Sequence, residues 1–331
     1  MRAMLASLLL TGSVLVSAQS PATISNQDRE LGIKLIQSGR SSEALSALKR
    51  ATSRSKLDAE AWYYLGVVYV QLTDFKKAGV AFETAVKIRP EFAEAYNGFS
   101  YALLRRGKLG EARKQAEKAL AIEPKSPDAH YTLGLISFRE GARDQALRHA
   151  DLAIEQNPRF AEAYLLKSQT LVAFSGGVIF QKSEETKEDQ DVRYRAAVDS
   201  LEKYLHLTSD SENKQVWKDQ IESLKFHLAR TPGEQGVYPA SAVTTKARLL
   251  SKPEPVYTEE ARQGQVVGTV VLKVVFASDG TVKHILVIGA LPGGLTEQSV
   301  RAARRIKFIP ATLDGKPVSM FMQLEYNFNL Y

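Results

Sequence analysis

The chain has 331 residues, 44% hydrophobic and 24% charged, which is ordinary for a soluble globular protein and enough for two or three domains. Its net charge of +7 is small and its basic residues are mixed with acidic ones, so no nucleic-acid partner is predicted. There is no cysteine, which excludes disulfides, and the five histidines lack the spacing of a zinc site, so no metal or other cofactor is expected.

The first residues have the pattern of a secretory signal peptide, residues 1–18. Met1 and Arg2 form a short basic region, an apolar run follows, and small residues precede a predicted cleavage site between Ala18 and Gln19. The apolar run is shorter than the roughly 20 residues that a membrane-spanning helix needs. We therefore expect export to the periplasm with cleavage, and the alternative is a retained segment that anchors the protein in the inner membrane.

A 34-residue repeat occupies the next two hundred or so residues. Similar segments begin near residues 25, 59, 93, 127 and 161, and the first of these is degenerate. Small residues recur at fixed offsets in each segment, and Pro90, Pro124 and Pro158 are placed to end the second helix of three units. This period and pattern resemble the tetratricopeptide repeat, which implies a mainly α-helical solenoid over residues 25–230.

The end of the repeat region departs from the pattern. A polar insertion is predicted at about residues 176–191, and the second helix of the fifth unit is expected to resume near Tyr194. A further helix is predicted at about residues 213–229, and it would cap the exposed end of the stack. Its apolar face comprises Trp217, Ile221, Leu224 and Leu228.

Stacked repeats of this kind form a concave groove lined by the first helix of each unit, and such grooves usually hold peptides. The residues predicted to line it are Tyr63, Val67, Val70, Asn97, Tyr101, Arg105, Tyr131, Leu135 and Arg139. One group of the repeat family clamps a carboxylate with lysine and asparagine, but lysine is missing from these positions. We expect an unknown peptide or protein here, and the alternative is that these residues only pack or face solvent.

Residues 231–242 contain two prolines and two glycines without helical period, so they are predicted to link the repeats to a C-terminal domain at 243–331. That domain is predicted to begin with a short leading strand at 243–250. Alternating apolar residues then predict a strand from Thr269 to Phe276, and an Asp-Gly pair predicts a hairpin loop after it.

The rest of the domain is predicted to contain one helix and one long strand. The helix is expected at residues 296–305, and in the last strand, Val318 to Leu330, apolar side chains share one face. These elements predict a small α+β domain with an antiparallel three-stranded sheet.

This segment resembles the C-terminal domain of TonB, the bacterial energy transducer that reaches outer-membrane transporters. Among the matching residues are Pro255, Tyr257, Gly268, Asp279, Gly280, Phe308 and Pro310. In that family an extended peptide of a transporter or receptor adds to the edge of the last strand, and backbone hydrogen bonds supply the affinity. The resemblance implies the same role here for Val318, Ser319, Phe321, Gln323, Glu325 and Asn327.

Two functions are compatible with these features, and neither is enzymatic, because no nucleophile with a base, carboxylate pair or phosphate loop is present. The first is a periplasmic adaptor that serves TonB-dependent transport, with an inner-membrane motor complex as a further partner if the N-terminal segment is retained. The second is a periplasmic scaffold or assembly factor for envelope complexes without energy transduction. Energy transducers of the TonB family cross the periplasm on a proline-rich spacer, whereas this chain has a repeat array. The resemblance therefore implies peptide binding more strongly than energy transduction.

Overall fold

The computed structural model describes residues 21–172, 174–175, 186–208, 213–229 and 236–330. The predicted cleavage site between Ala18 and Gln19 lies outside these residues, as do most of the predicted insertion and the first part of the predicted linker. None of the helices in the described ranges is both long and apolar enough to cross a membrane.

The repeat region is a stack of helices in which each helix packs against the next. Its helices are α1 (Pro21–Gln37), α2 (Ser41–Arg54), α3 (Ala59–Gln71), α4 (Phe75–Ile88), α5 (Ala93–Arg105), α6 (Leu109–Ile122), α7 (Pro127–Arg139), α8 (Arg143–Gln156), α9 (Ala161–Val172), α10 (Lys187–Leu207) and α11 (Lys214–Ala229). The helices that begin at Ala59, Ala93, Pro127 and Ala161 reproduce the repeat spacing. The predicted solenoid is confirmed.

Small residues allow the close approach of neighbouring repeats. The alanines that recur in α6 and α8 are fully buried. Gly66 of α3 and Gly98 of α5 both lie against the ring of Phe82, and a Cβ atom built on either glycine would lie 2.7 or 2.6 Å from that ring. A side chain at either position would therefore displace Phe82, which fills the space between two repeats.

Helix α10 begins at Lys187, seven residues before the predicted resumption near Tyr194. The earlier start has a local cause, because Thr186 and Asp189 form a capping box. The Asp189 N–H donates to Thr186 Oγ1, and the Thr186 N–H donates to an Asp189 carboxylate oxygen, both at 3.1 Å. Part of the polar stretch assigned to the insertion is therefore the first turn of a helix.

The C-terminal domain contains strands, two helices and a separate strand pair. In chain order the elements are β1 (Phe174–Ser175, from the repeat region), β2 (Val237–Tyr238), β3 (Arg248–Ser251), α12 (Glu259–Gln263), β4 (Gly268–Phe276), β5 (Val282–Ala290), α13 (Leu295–Ala303), β6 (Lys307–Ile309), β7 (Ala311–Leu313) and β8 (Lys316–Phe328). The sheet order is β1-β5-β4-β8-β2, with β7 also paired to β8, and β3 pairs with β6.

The sheet is mixed, which corrects the prediction of a purely antiparallel three-stranded sheet. Its centre is as predicted, because β4 is antiparallel to both β5 and β8. Each outer edge then gains a two-residue parallel strand, β1 beside β5 and β2 beside β8. Unpaired strand edges are usually covered in native proteins, and here segments outside the predicted domain supply part of the cover.

Both faces of this sheet are buried. On one face Val270, Leu272, Val274 and Phe276 of β4 are inaccessible to solvent and belong to the core that includes α13. On the other face Leu286 of β5 shares a core with Trp217, Ile221 and Leu224 of α11. The predicted capping helix therefore packs on the sheet as well as on α10, and it joins the two parts of the protein.

Polar contacts reinforce the position of α11. The Val287 N–H of β5 donates to Gln220 Oε1 at 3.2 Å. Arg301 of α13 donates to Asn213 Oδ1 at 3.0 Å, and Arg304 forms an ion pair with Asp219.

Aromatic and histidine side chains pack together where the C-terminal end of α11 contacts the sheet. The rings of Phe226 and His284 stack with centroids 3.8 Å apart. His227 Nδ1 is 2.7 Å from the Ser223 carbonyl oxygen and donates to it, and its Nε2 is buried without a hydrogen-bond partner among the described residues. Burial lowers the pKa of His227 to about 4, and the positive charge of Lys273 contributes in the same direction.

We expect Leu224→Ala to destabilise the sheet together with the last repeats by about 2–5 kcal/mol, because Leu224 is fully buried in the core that α11 shares with β5. Denaturant unfolding followed by the indole N–H resonance of Trp217 and by the methyl resonances of Val274 should give midpoints that shift together. The control is Leu48→Ala, an equally buried leucine in the first repeats, which should leave the Val274 midpoint unchanged. Unequal shifts in the Leu224 variant would show that the sheet unfolds independently.

The lowered pKa of His227 predicts a loss of stability in acid. The imidazole pKa is about 6.5 in an unfolded chain and about 4 in the folded protein, so the unfolded state binds more protons between these values. This contribution to stability is present above pH 6.5 and falls as the pH decreases towards 4. His227→Phe should flatten the pH dependence of the unfolding midpoint over that range. An NMR titration of the His227 imidazole with a midpoint near 6.5 would contradict the expectation.

Candidate functional site: the strand edge and the repeat groove

Strand β8 is held in a fixed register. It pairs with β4 without interruption from Gly268 opposite Phe328 to Phe276 opposite Met320. Its even-numbered apolar side chains face the core, and Met320, Leu324, Tyr326 and Phe328 are buried. A slip of one residue would expose this whole set to solvent, so the position of the strand edge is fixed with it.

The edge of β8 that faces away from β4 is only partly covered. On this edge Ser319 and Met320 pair with β2. In the parts of the chain that the structure describes, no strand pairs with this edge beyond Met320. The Glu325 carbonyl oxygen accepts a hydrogen bond from Lys252 Nζ at 2.6 Å, so the backbone of Glu325 points away from β4.

The alternation of backbone directions along β8 identifies the other residues whose N–H and C=O groups lie on this edge. Successive residues of an antiparallel strand direct their N–H and C=O groups to opposite sides. The odd-numbered residues Phe321, Gln323 and Asn327 therefore direct theirs to the same side as Glu325. Of the six residues predicted for partner binding, these four lie on the open stretch, whereas Val318 and Ser319 are already paired within the chain.

The edge at β5 is covered more fully. β1 pairs with Gly289 and Ala290, and Gln220 of α11 accepts the Val287 N–H.

The sequence did not predict β2, the contact of Lys252 with this edge or this role of α11. A β-branched and an aromatic residue, Val237 and Tyr238, stand before Pro239 and are a weak signal for a short strand. Nothing local in the sequence identifies the other two contacts.

The residues that carry the family resemblance mainly hold the fold. The rings of Phe308 and Phe276 stack with centroids 4.1 Å apart in the core. Tyr257 packs edge-on against Phe328 at 5.6 Å, and its hydroxyl donates to the Val266 carbonyl oxygen. Pro255, Gly268 and Pro310 are half-buried around this core.

The hairpin loop between β4 and β5 forms as the Asp-Gly pair predicts. Asp279 accepts hydrogen bonds from the Thr281 N–H at 3.0 Å and from Lys283 Nζ at 2.6 Å, and these bonds lower its pKa. Gly280 has a φ of +82°, a conformation that glycine adopts without strain.

The residues predicted to line the repeat groove divide into two groups. The first group lies on α3 and the start of α5 and comprises Tyr63, Val67, Val70 and Asn97, all half-buried. In this group the Tyr63 ring packs 5.0 Å from the Phe92 ring, and burial raises the pKa of Tyr63 to about 12.

The second group faces the C-terminal domain. These residues are Tyr101, Arg105, Tyr131, Leu135 and Arg139, and they line a cavity of about 290 Å³. The opposite wall of that cavity comes from α12, the segment that follows it and the loop before α13, including Glu260, Val266 and Leu291. The groove is therefore covered here by the chain's own C-terminal domain, which the sequence did not predict.

Arg105 is the main polar contact across this covered part of the groove. It forms an ion pair with Glu260 and donates to Tyr101 Oη at 2.7 Å. Gly264 lies so close to the end of α5 that a Cβ atom built on it would be 2.7 Å from the Arg105 carbonyl oxygen. Glycine is needed at position 264 for this approach.

Arg139 lies one repeat further along the same surface. It donates to the Leu104 carbonyl oxygen at 2.8 Å, and no acidic side chain forms an ion pair with it in the described ranges. Burial and the positive charge of Arg105 lower the pKa of Arg139. In those same ranges no cluster of His, Cys, Asp or Glu side chains could hold a metal ion.

Comparisons with known proteins agree with this architecture. Residues 253–330 match the family model of the Gram-negative bacterial TonB protein C-terminal domain. Residues 29–93, 69–130 and 103–170 match models of the tetratricopeptide repeat. The comparison with curated protein sequences gave no match.

Solved structures with similar folds are repeat proteins. PilW, a widely conserved type IV pilus biogenesis factor, shares 19% identity over 62% of this chain and 87% of its own, with a TM-score of 0.50. PilF of Pseudomonas aeruginosa shares 16% identity over 64% and 90%, with a TM-score of 0.49. The repeat protein TTC0263 of Thermus thermophilus shares 21% over 61% and 99%, with a TM-score of 0.47. At these identities the likeness concerns the fold alone.

Both kinds of matched domain are non-catalytic interaction domains, and the TonB-type domain associates the protein with the Gram-negative envelope. The chain is therefore a tetratricopeptide-repeat protein with a TonB-type C-terminal domain, and it is a protein-interaction adaptor of the Gram-negative envelope.

Proposed function

We propose that this protein is a periplasmic adaptor in TonB-dependent transport and that its strand β8 captures an extended peptide of an outer-membrane transporter. The observation that carries the proposal is the open stretch of the β8 edge from Phe321 to Asn327, in a sheet whose other edge is covered more fully. A partner strand would continue the sheet where β2 ends.

Strand addition at this edge has a plain energetic basis. Four residues of β8 direct backbone groups to this edge, of which the Glu325 carbonyl oxygen already accepts from Lys252. Each backbone hydrogen bond to a partner strand contributes about 0.5–1.5 kcal/mol net. The fixed register of β8 means that little ordering of this strand accompanies binding, which favours affinity. Side chains on one face of the partner strand would lie beside Phe321 and Gln323, and they would supply selectivity.

The chain's own strand β2 stops short of the open stretch for a local reason. Tyr238 is followed by Pro239, which has no N–H to donate, and the Ala242 N–H bonds back to the Pro239 carbonyl oxygen at 3.0 Å. The turn takes the chain away from β8 and leaves the edge beyond Met320 accessible to a partner.

We expect Gln323→Pro to abolish capture of transporter peptides, because it removes an outward N–H and obstructs close approach of a partner strand. Gln323→Ala should reduce capture only slightly, since its backbone is unchanged. Binding of synthetic peptides from the periplasmic N-terminal segments of outer-membrane transporters is measured by isothermal titration calorimetry, with circular dichroism to confirm folding. Equal binding by a folded proline variant and the parent would exclude strand addition here.

A second substitution at the same edge should increase the affinity for the peptide. Lys252 occupies the Glu325 carbonyl oxygen and lies 4.5 Å from the centre of the Tyr326 ring. Lys252→Ala frees that acceptor and should strengthen peptide binding severalfold, as expected for one regained hydrogen bond.

The alternative is a periplasmic scaffold or assembly factor for envelope complexes that has no link to energy transduction. It is favoured by the repeat array, whose groove residues on α3 lie outside the cavity that the C-terminal domain covers. The state of the N-terminal segment separates both of these soluble roles from a motor-coupled transducer, since a transducer needs a retained anchor that couples it to an inner-membrane motor complex.

We predict a mature protein that begins at Gln19, on the strength of the signal-peptide pattern. Intact-mass spectrometry of the native protein from the periplasmic fraction measures this directly. Cleavage at this site favours a soluble adaptor or scaffold. Recovery of the protein in the membrane fraction with Met1 to Ala18 attached would contradict the prediction and favour a motor-coupled transducer.

A further inference from the structure

The cavity between the repeat groove and the C-terminal domain has the size of a small-molecule site. Its volume is about 290 Å³. An engineered apolar cavity of about 150 Å³ binds benzene, and ligand sites in proteins begin near 300 Å³. The covered groove therefore has room for one compact molecule or one terminal residue, and not for a peptide that runs through it.

The walls of the cavity are largely apolar and aromatic. The repeats contribute Tyr101, Tyr131, Leu135 and Phe138, and the C-terminal domain contributes Leu291 and Pro292. Tyr131 packs its ring 4.9 Å from the ring of Phe160, and burial raises its pKa far above the usual range, so its hydroxyl stays neutral. Such walls suit an apolar or aromatic body.

The charged groups that line the cavity are Arg105, Arg139, Glu260 and Glu297. Glu260 is paired with Arg105, and Glu297 already takes part in an interaction within the chain. Arg139 donates to one backbone carbonyl and has no acidic partner among the described residues. The charge that lacks a counter-ion in this cavity is therefore positive.

A half-buried guanidinium without a counter-ion is costly, because burial removes water and no anion replaces it. The lowered pKa of Arg139 has the same origin, since burial and the nearby charge of Arg105 both disfavour its protonated form. A carboxylate offsets this cost and matches the planar geometry of the guanidinium with two parallel hydrogen bonds.

We propose that this interdomain cavity binds a small organic carboxylate with an apolar or aromatic body. The carboxylate accepts hydrogen bonds from Arg139, and the body packs against Tyr131, Phe138 and Leu291. The ligand also competes with Glu260 for Arg105, so its binding weakens one contact between the repeats and the C-terminal domain. The carboxylate belongs either to a free acid or to the last residue of a peptide, and the two sources share this chemistry. The proposal does not depend on strand addition at β8.

The test uses the full chain, with phenylacetate as the probe and phenylacetamide as its uncharged match, in isothermal titration calorimetry. Phenylacetate should bind about tenfold or more tightly than the amide, as expected for a charge-assisted hydrogen bond. Arg139→Gln should remove that preference, and Arg139→Lys should retain part of it. Glu260→Gln should strengthen phenylacetate binding severalfold, because it frees Arg105. A peptide that ends in phenylalanine and its C-terminal amide form the second pair of probes.

Arg106→Gln is the matched control, since Arg106 follows Arg105 directly but does not line this cavity. It should leave phenylacetate binding unchanged, and thermal melting confirms that each variant is folded. Tighter binding of the peptide acid than of phenylacetate would support the site and assign it to a chain terminus. Equal affinities for acid and amide, absence of binding at millimolar concentration, or normal binding by a folded Arg139→Gln variant would each overturn the proposal.

Discussion

Helix α11 packs its apolar face between α10 and strand β5, and the placement of the C-terminal domain follows from this contact. A sheet needs cover on each apolar face, and the domain's own helix α13 covers only one. Leu286 on the other face is buried by Trp217 and Leu224 of α11, which also belong to the core of the last repeats. The capping helix of the solenoid is thus also the second layer of the sheet.

This contact has consequences for both interaction surfaces. It brings α12 and the loop before α13 over the groove, where Arg105 meets Glu260 and Gly264 approaches the end of α5. It also protects the β5 edge through Gln220. The edge of β8 beyond Met320 stays accessible. One packing interaction therefore covers part of the repeat groove and leaves this strand edge open.

The sequence predicted features that arise from local periodicity. The 34-residue spacing gave the helix starts, and the alternation of apolar residues gave β4 and the buried face of β8. It also predicted one groove surface with Tyr63, Tyr101, Arg105, Tyr131 and Arg139. The last four of these residues line one cavity, and Tyr63 lies outside it.

Features that arise from contacts between distant segments were not predictable. The two-residue strands β1 and β2 are too short to show a period, and they exist because an edge of the sheet is available to pair with them. The coverage of the groove depends on Glu260 and Gly264. The sequence around these two residues does not indicate that they contact α5. The early start of α10 was a local signal, Thr186 with Asp189, that the polar composition of the segment concealed.

The most direct test of the account is residue-resolved amide hydrogen exchange along β8 in the full chain, with and without a transporter peptide. We expect an alternating pattern in the free protein, with rapid exchange at Gln323, Glu325 and Asn327. Exchange should be slow at Met322, Leu324 and Tyr326, whose backbone groups face β4. On peptide binding the first set should become protected and the second should change little. Slow exchange at both sets in the free monomer, or no added protection with bound peptide, would contradict the claim that this edge is the open template for a partner strand.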